Sequence, residues 1–202
     1  MSNIIRTITA IALFAFASVA AHAIETGSTA PEFTLTDSNG TSHKLSDFKG
    51  KHVVLEWTNH GCPFVVKHYA PGNMQKLQKE WTGKGVIWLT INSTNADHQD
   101  YQSPAQANAW LKETKAAPTA FLIDADGKVG HLYDAKTTPH LFIIDPAGKL
   151  IYQGAIDSIR SPKSEDIAKA ENYVEAALKA ATAGKPVATP TTKSYGCGVK
   201  YK

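Results

Sequence analysis

The chain has 202 residues, 43% hydrophobic and 19% charged, which is the composition of one ordinary globular domain and excludes wholesale disorder and collagen-like repeats. Its net charge is only +3, with arginine at Arg6 and Arg160 alone, too balanced for a phosphate-tracking surface and so for a nucleic-acid binder. Two cysteines rule out a disulfide-dense scaffold and a four-cysteine zinc site, leaving one bridge or two lone thiols.

Residues 1–23 have the layout of a secretory signal peptide. Arg6 gives the positive start, Ile8 to Ala20 is uncharged and mostly apolar, and Ala21-His22-Ala23 is a small-x-small cleavage site. The apolar run of about 13 residues is too short to cross a hydrocarbon core of ~30 Å. The expected product is a secreted chain starting at Ile24, periplasmic in a Gram-negative cell and with no membrane association after cleavage. In such a compartment disulfides persist.

Phe33–Thr36 and Thr41–Leu45 flank the turn cluster Asp37-Ser38-Asn39-Gly40 and predict an N-terminal hairpin. Val53–Trp57 suits a buried strand. A helix is predicted from Pro63 to Tyr69, a second after Pro71-Gly72 to about Trp81, and a strand over Val86–Ile91. Ser103-Pro104-Ala105-Gln106 combines an N-cap, a first-turn proline and a capping-box glutamine, starting a helix that runs to about Lys115. Phe121–Ile123 is a short strand. Leu141–Ile144 and Leu150–Gln153 form a hairpin around Asp145-Pro146-Ala147-Gly148. A last helix carries Ile167, Ala170, Val174, Ala177, Leu178 and Ala181 on one stripe. This order predicts an α/β domain over 24–184, with a mixed central sheet and helices on both faces. Residues 185–202 lack apolar periodicity and read as a flexible tail carrying Cys197.

Cys62 lies between a buried strand and a helix that Pro63 opens. A thiolate at that N-cap meets unpaired N–H groups and the positive end of the helix dipole, which lowers a thiol pKa and makes a nucleophile. The bland alternative is a buried, inert cysteine. Glu56, within an apolar strand, is either desolvated with a raised pKa and able to exchange protons with a nearby sulfur, or simply an edge residue. His60 either lowers the thiol pKa when protonated or faces water from a loop, and His68 reads as a surface residue.

Several motifs carry a resemblance. Gly27-x-x-Ala30-Pro31-x-Phe33-x-Leu35-x-Asp37-x-x-Gly40 with Leu45-x-Asp47-Phe48-x-Gly50-Lys51, then Asn59-His60-x-Cys62-Pro63-Phe64-Val65, Thr138-Pro139-His140 with the Phe142–Asp157 stretch, and Tyr195-Gly196-Cys197-Gly198-Val199-Lys200 together resemble the peroxiredoxin-like branch of the alkyl hydroperoxide reductase/thiol-specific antioxidant (redoxin) family. The resemblance implies a thioredoxin-like fold, Cys62 as attacking (peroxidatic) cysteine, and Pro139 as the cis-proline facing it, an X-Pro bond being the one place a cis peptide is cheap. Pro63 and Phe64 would line the same groove, and Thr58 and Glu56 would assist proton handling. The chain departs from the family pattern in three places. Val65 stands where a thioredoxin has its second cysteine, Asn59 replaces a peroxiredoxin threonine (Thr58 is one residue back), and Arg160 does not obviously match the peroxide-polarising arginine.

From Gly184 to Cys197 the tail can reach roughly 45 Å, against a domain radius of gyration of about 16 Å. Cys197 is then a resolving cysteine, a structural staple contributing about 4–5 kcal/mol, or free or paired between molecules. The expected activity is a thiol oxidoreductase taking a hydroperoxide or a disulfide and relying on an external dithiol reductant, with no metal or organic cofactor. The alternatives are thiol–disulfide exchange through the same pair, or a non-enzymatic module with a locked bridge or with copper held by His60, Cys62, His68 and Cys197.

Overall fold

A computed structural model describes residues 24–202; the expected signal peptide lies outside the described residues. A seven-stranded mixed sheet is formed by β1 (Thr34–Asp37), β2 (Ser42–Lys44), β3 (Val53–Trp57), β4 (Ile87–Asn92), β5 (Ala120–Ile123), β7 (His140–Ile144) and β8 (Leu150–Gly154), in the order β2-β1-β5-β4-β3-β7-β8. β3 sits inside it, parallel to β4 and antiparallel to β7. All five β3 residues are buried, as a strand covered on both faces requires. By strand alternation Val53, Leu55 and Trp57 enter one core with Phe33, Tyr133 and Phe142, while Val54 enters the other.

The second core is roofed by α1 (Pro63–Tyr69), α2 (Asn73–Gly83) and α5 (Tyr173–Thr182), through Val65, Tyr69, Met74, Leu77, Trp81, Val174 and Leu178. α3 (Pro104–Thr114) starts at Ser103 with the expected capping box to Gln106. The opposite face takes Val129 of the short α4 (Lys128–Leu132). Sequence periodicity misses α4, because five residues are too few to show a helical period. The buried Asp124 carboxylate accepts from Val129 N and Gly130 N at 3.2 and 2.8 Å.

Two expectations are corrected. The last helix begins at Tyr173 and leaves Ile167 and Ala170 outside it, in and after a 3-10 turn over Ser164–Lys169. Asn172 stops the backward extension by capping Glu175 N at 2.9 Å while bridging to Asp157. The tail, expected to be loose, lies against the domain. Gln153 N–H donates to Pro190 O and Thr192 N–H to Gln153 O, both at 3.0 Å. Its end forms β9 (Cys197–Gly198), antiparallel to β6 (Thr137–Thr138). Pairing with a partner far away in sequence leaves no local signal.

Candidate active site

The register of the central strands builds the site. Trp57 pairs with His140, so the segments just past that pair, 58–62 on one side and 137–139 on the other, meet at one end of the sheet. A tight turn then aims the cysteine. Asn59 Oδ1 accepts from Gly61 N at 2.9 Å, Cys62 N donates to Asn59 O at 3.0 Å, and Pro63 opens α1 with Cys62 as N-cap. The Thr138–Pro139 peptide is cis and faces that cysteine: Cys62 Sγ lies 3.0 Å from Thr138 O.

β9 completes the arrangement. Its pairing of Cys197 with Thr138 places the two sulfurs 2.6 Å apart, well inside van der Waals contact and close to disulfide range, without a bond between them. Cys62 is only 2% exposed, whereas Cys197 is partly open to solvent. Burial works against ionisation of Cys62. The Cys197 thiol, with the backbone N–H groups of Cys197 and Val65, outweighs it and holds the Cys62 thiol below its ordinary value. Burial, reinforced by the hydrogen bond and charge of Cys62, pushes Cys197 up to about 12. The helix start therefore helps less than the sequence suggests. The Val65 N–H, at the third position of the helix, is the weakest of these contributions, and the second cysteine is the main source of stabilisation.

The remaining expected residues divide. Phe64 packs edge-to-face on Tyr195 at 5.8 Å and so touches the tail beside the sulfurs. Thr58 is buried with its hydroxyl unpartnered and makes no hydrogen bond to either sulfur; the Thr138 hydroxyl is likewise buried and unpartnered, and it is the Thr138 carbonyl that lies against Cys62 Sγ. Glu56 is fully buried, so it is no edge residue. Its carboxylate accepts from Tyr69 Oη (2.6 Å), Trp88 Nε1 (2.7 Å), Gln78 Nε2 (3.1 Å) and Thr90 Oγ1 (3.1 Å), and from neither cysteine. Burial nevertheless raises its pKa. His68 is buried, contrary to the surface reading. It meets Asn73 Nδ2 at 2.9 Å and Asp157 Oδ2 at 3.6 Å, and burial lowers its pKa to about 4. It is directed at that pair, so the four residues considered for copper are not gathered as one set. Arg160 lines a cavity of about 570 Å³ with Lys136, Lys193 and Tyr195, and is not hydrogen-bonded to the sulfurs. No helix among the described residues is long and apolar enough to cross a membrane.

The raised Glu56 pKa gives a test of burial. An acid titrating higher in the fold than in the unfolded chain costs stability as pH rises, from its unfolded value near 4.5 up to its folded one. Glu56→Gln, whose amide can donate to a reoriented Tyr69 hydroxyl, removes that loss. Urea denaturation at pH 4.5 and pH 8 is expected to show the variant gaining on the wild type at the higher pH.

Sequence reasoning missed what holds the tail. Lys67, fully buried on α1, donates from Nζ to Asp157 Oδ2 at 2.7 Å, to Ile159 O at 2.9 Å and to Tyr195 Oη at 3.2 Å. Tyr195 in turn donates to Asp157 Oδ1. The available signal was Tyr195 itself, two residues before the second cysteine.

A mixed sheet of this order, with a cysteine opening the first helix opposite a cis-proline, is that of a thioredoxin-like thiol protein. The sequence model of the AhpC/TSA family matches residues 26–153, and the chain belongs to that family. It is similar to the thiol-disulfide oxidoreductase ResA of Bacillus subtilis (strain 168), 30% identical over 128 residues, covering 63% of this chain and 66% of ResA. It is also similar to the peroxiredoxin Bcp of Escherichia coli (strain K12), 28% identical over 150 residues, covering 58% of this chain and 90% of Bcp. Among solved structures, an uncharacterized conserved protein from Geobacillus kaustophilus aligns with a TM-score of 0.75 and 30% identity, covering 89% of this chain and 93% of that one. The tail motif around Cys197 lies beyond the family match.

Proposed function

We propose that the chain is an exported thiol oxidoreductase that cycles between a Cys62/Cys197 dithiol and their disulfide. The observation that carries this reading is the pair of free sulfurs 2.6 Å apart on two separate elements, one thiol favoured as anion and the other as neutral acid. That division suits the chemistry, since the anion attacks and the neutral thiol keeps its proton until it is needed.

With a hydroperoxide, the Cys62 thiolate attacks the terminal oxygen, the O–O bond breaks, and the departing alkoxide takes a proton to leave as the alcohol. Cys62 is then a sulfenic acid. Cys197 attacks it, the S–S bond forms, and water leaves. An external dithiol returns the pair to the reduced state. It meets Cys197 first, because that sulfur is the accessible one, and it expels Cys62, the better leaving group. A small oxidant is favoured over a protein disulfide because Cys62 is covered by the tail. Thiol–disulfide exchange is the second reading. It is favoured by the absence of a hydrogen bond from Arg160 or Thr58 to the sulfur, groups that would otherwise polarise a peroxide, and it requires the tail to lift.

The test reacts fully reduced protein with one equivalent of hydrogen peroxide or of glutathione disulfide, quenches with an alkylating agent, and maps the cysteines by mass spectrometry. The expected product is one intramolecular Cys62–Cys197 bond, formed faster with peroxide. Faster reaction with the disulfide selects the second reading, and two alkylated thiols after both treatments overturn the proposal.

A further inference from the structure

The segment around Cys197 is fixed on both sides by side chains that the proposed chemistry does not use. Upstream, Tyr195 is 4% exposed, reaches the buried Lys67–Asp157 pair, and lies under the Lys67 ammonium at 5.5 Å from its ring centre. Downstream, Tyr201 stacks on His131 with ring centres 4.0 Å apart and donates to Ala135 O at 2.7 Å. Its ring fills a notch that exists because positions 127 and 130 are glycine. A Cβ on Gly127 or Gly130 would overlap it. Between the two tyrosines, Gly196 takes a φ of +139° and passes so close to the Thr138 carbonyl that a Cβ there would collide with it. Backbone bonds from Val199 N to Lys136 O (3.2 Å) and from Asn95 N to Lys200 O (2.8 Å) tie down the remainder.

We propose that Tyr195 and Tyr201 are positioning residues, two clamps that hold Cys197 over Cys62 while both are still thiols and make the strap a standing cover on the attacking sulfur. The inference rests on the reading that these two cysteines form a redox pair. Holding the partner in place raises its effective concentration, which favours the disulfide over the dithiol. Covering Cys62 slows every reagent that must approach it from solvent.

Two measurements on the full-length mature chain test the clamps. The first is the equilibrium in glutathione buffers, in which the two thiols and one glutathione disulfide give the intramolecular bond and two glutathiones, so electrons and protons balance. In the Tyr195→Phe/Tyr201→Ala double variant the equilibrium constant for bond formation is expected to fall about tenfold or more. The second is the alkylation rate of Cys62 with Cys197→Ser as background, where the strap persists but no bond can form. The same double replacement is expected to speed it about tenfold. Tyr201→Phe, which keeps the ring in its notch, is expected to stay within about twofold of the wild type on both readouts, a rescue that general destabilisation does not give. If the double variant is too unstable to assay, Tyr201→Ala alone, far from the buried Lys67–Asp157 pair, is expected to move both readouts about threefold in the same direction.

Readouts within about twofold of the wild type for the clamp variants overturn the inference. A wild type that forms no intramolecular bond overturns the parent reading instead, and the alkylation measurement still decides the clamp.

Discussion

Cys62→Ser is expected to lower peroxide consumption supported by dithiothreitol by three orders of magnitude or more, to the uncatalysed level, because a serine hydroxyl at that position is not ionised. The fold should survive, since the two side chains are close in size and the sulfur is covered by the strap. Cys197→Ser is expected to behave differently. The first oxidation persists, but the Cys62 sulfenic acid then has no thiol beside it, so it accumulates and is trapped by a dimedone-type reagent detectable by mass spectrometry. A Cys62→Ser protein that keeps a tenth of wild-type turnover places the chemistry elsewhere.

Asp157→Ala is expected to be the most damaging replacement outside the sulfur pair. It strands the Lys67 ammonium, fully buried, without its carboxylate, and takes a hydrogen-bond partner from Tyr195. Breaking one side of a buried ion pair costs about 3–5 kcal/mol. In urea this lowers the midpoint by roughly 2 M. Replacing both members, as in Lys67→Met with Asp157→Leu, leaves no unpaired charge and is expected to recover a large part of the loss. The tail stays poorly anchored in both variants, so fast alkylation of Cys62 persists even where stability returns. A midpoint shift below about 0.5 M for Asp157→Ala contradicts the role given to this pair.

What the sequence shows and what it hides follow the range of the interactions involved. The hairpins, the Ser103 capping box and the strand-turn-helix around Cys62 are local patterns, and the structure has each of them. Pro139 was visible as a motif, and the strand pairing that carries it to Cys62 follows from the order of elements. His68 was misleading, and Lys67 gave no signal, because charged-type residues on a short helix ordinarily face water. They are buried here only because the segment after β8 and the tail close over α1. The two-residue β9 is too short for any periodicity, and its place depends on Tyr195, Gly196 and Tyr201 reaching residues tens of positions away in sequence. Glu56 was legible as a carboxylate in a buried strand. Its four donors come from three other elements and could not be read from its neighbours.

Cys62 is an anion-favouring thiol because a second cysteine and nearby N–H groups outweigh its burial. The pH dependence of its alkylation in the fully reduced wild type, followed at that residue by mass spectrometry, measures this directly. The expected midpoint lies clearly below the free-cysteine value of about 8.5, with Cys197 titrating well above it. A Cys62 midpoint at or above that value means that burial wins, and the site is then a covered structural thiol.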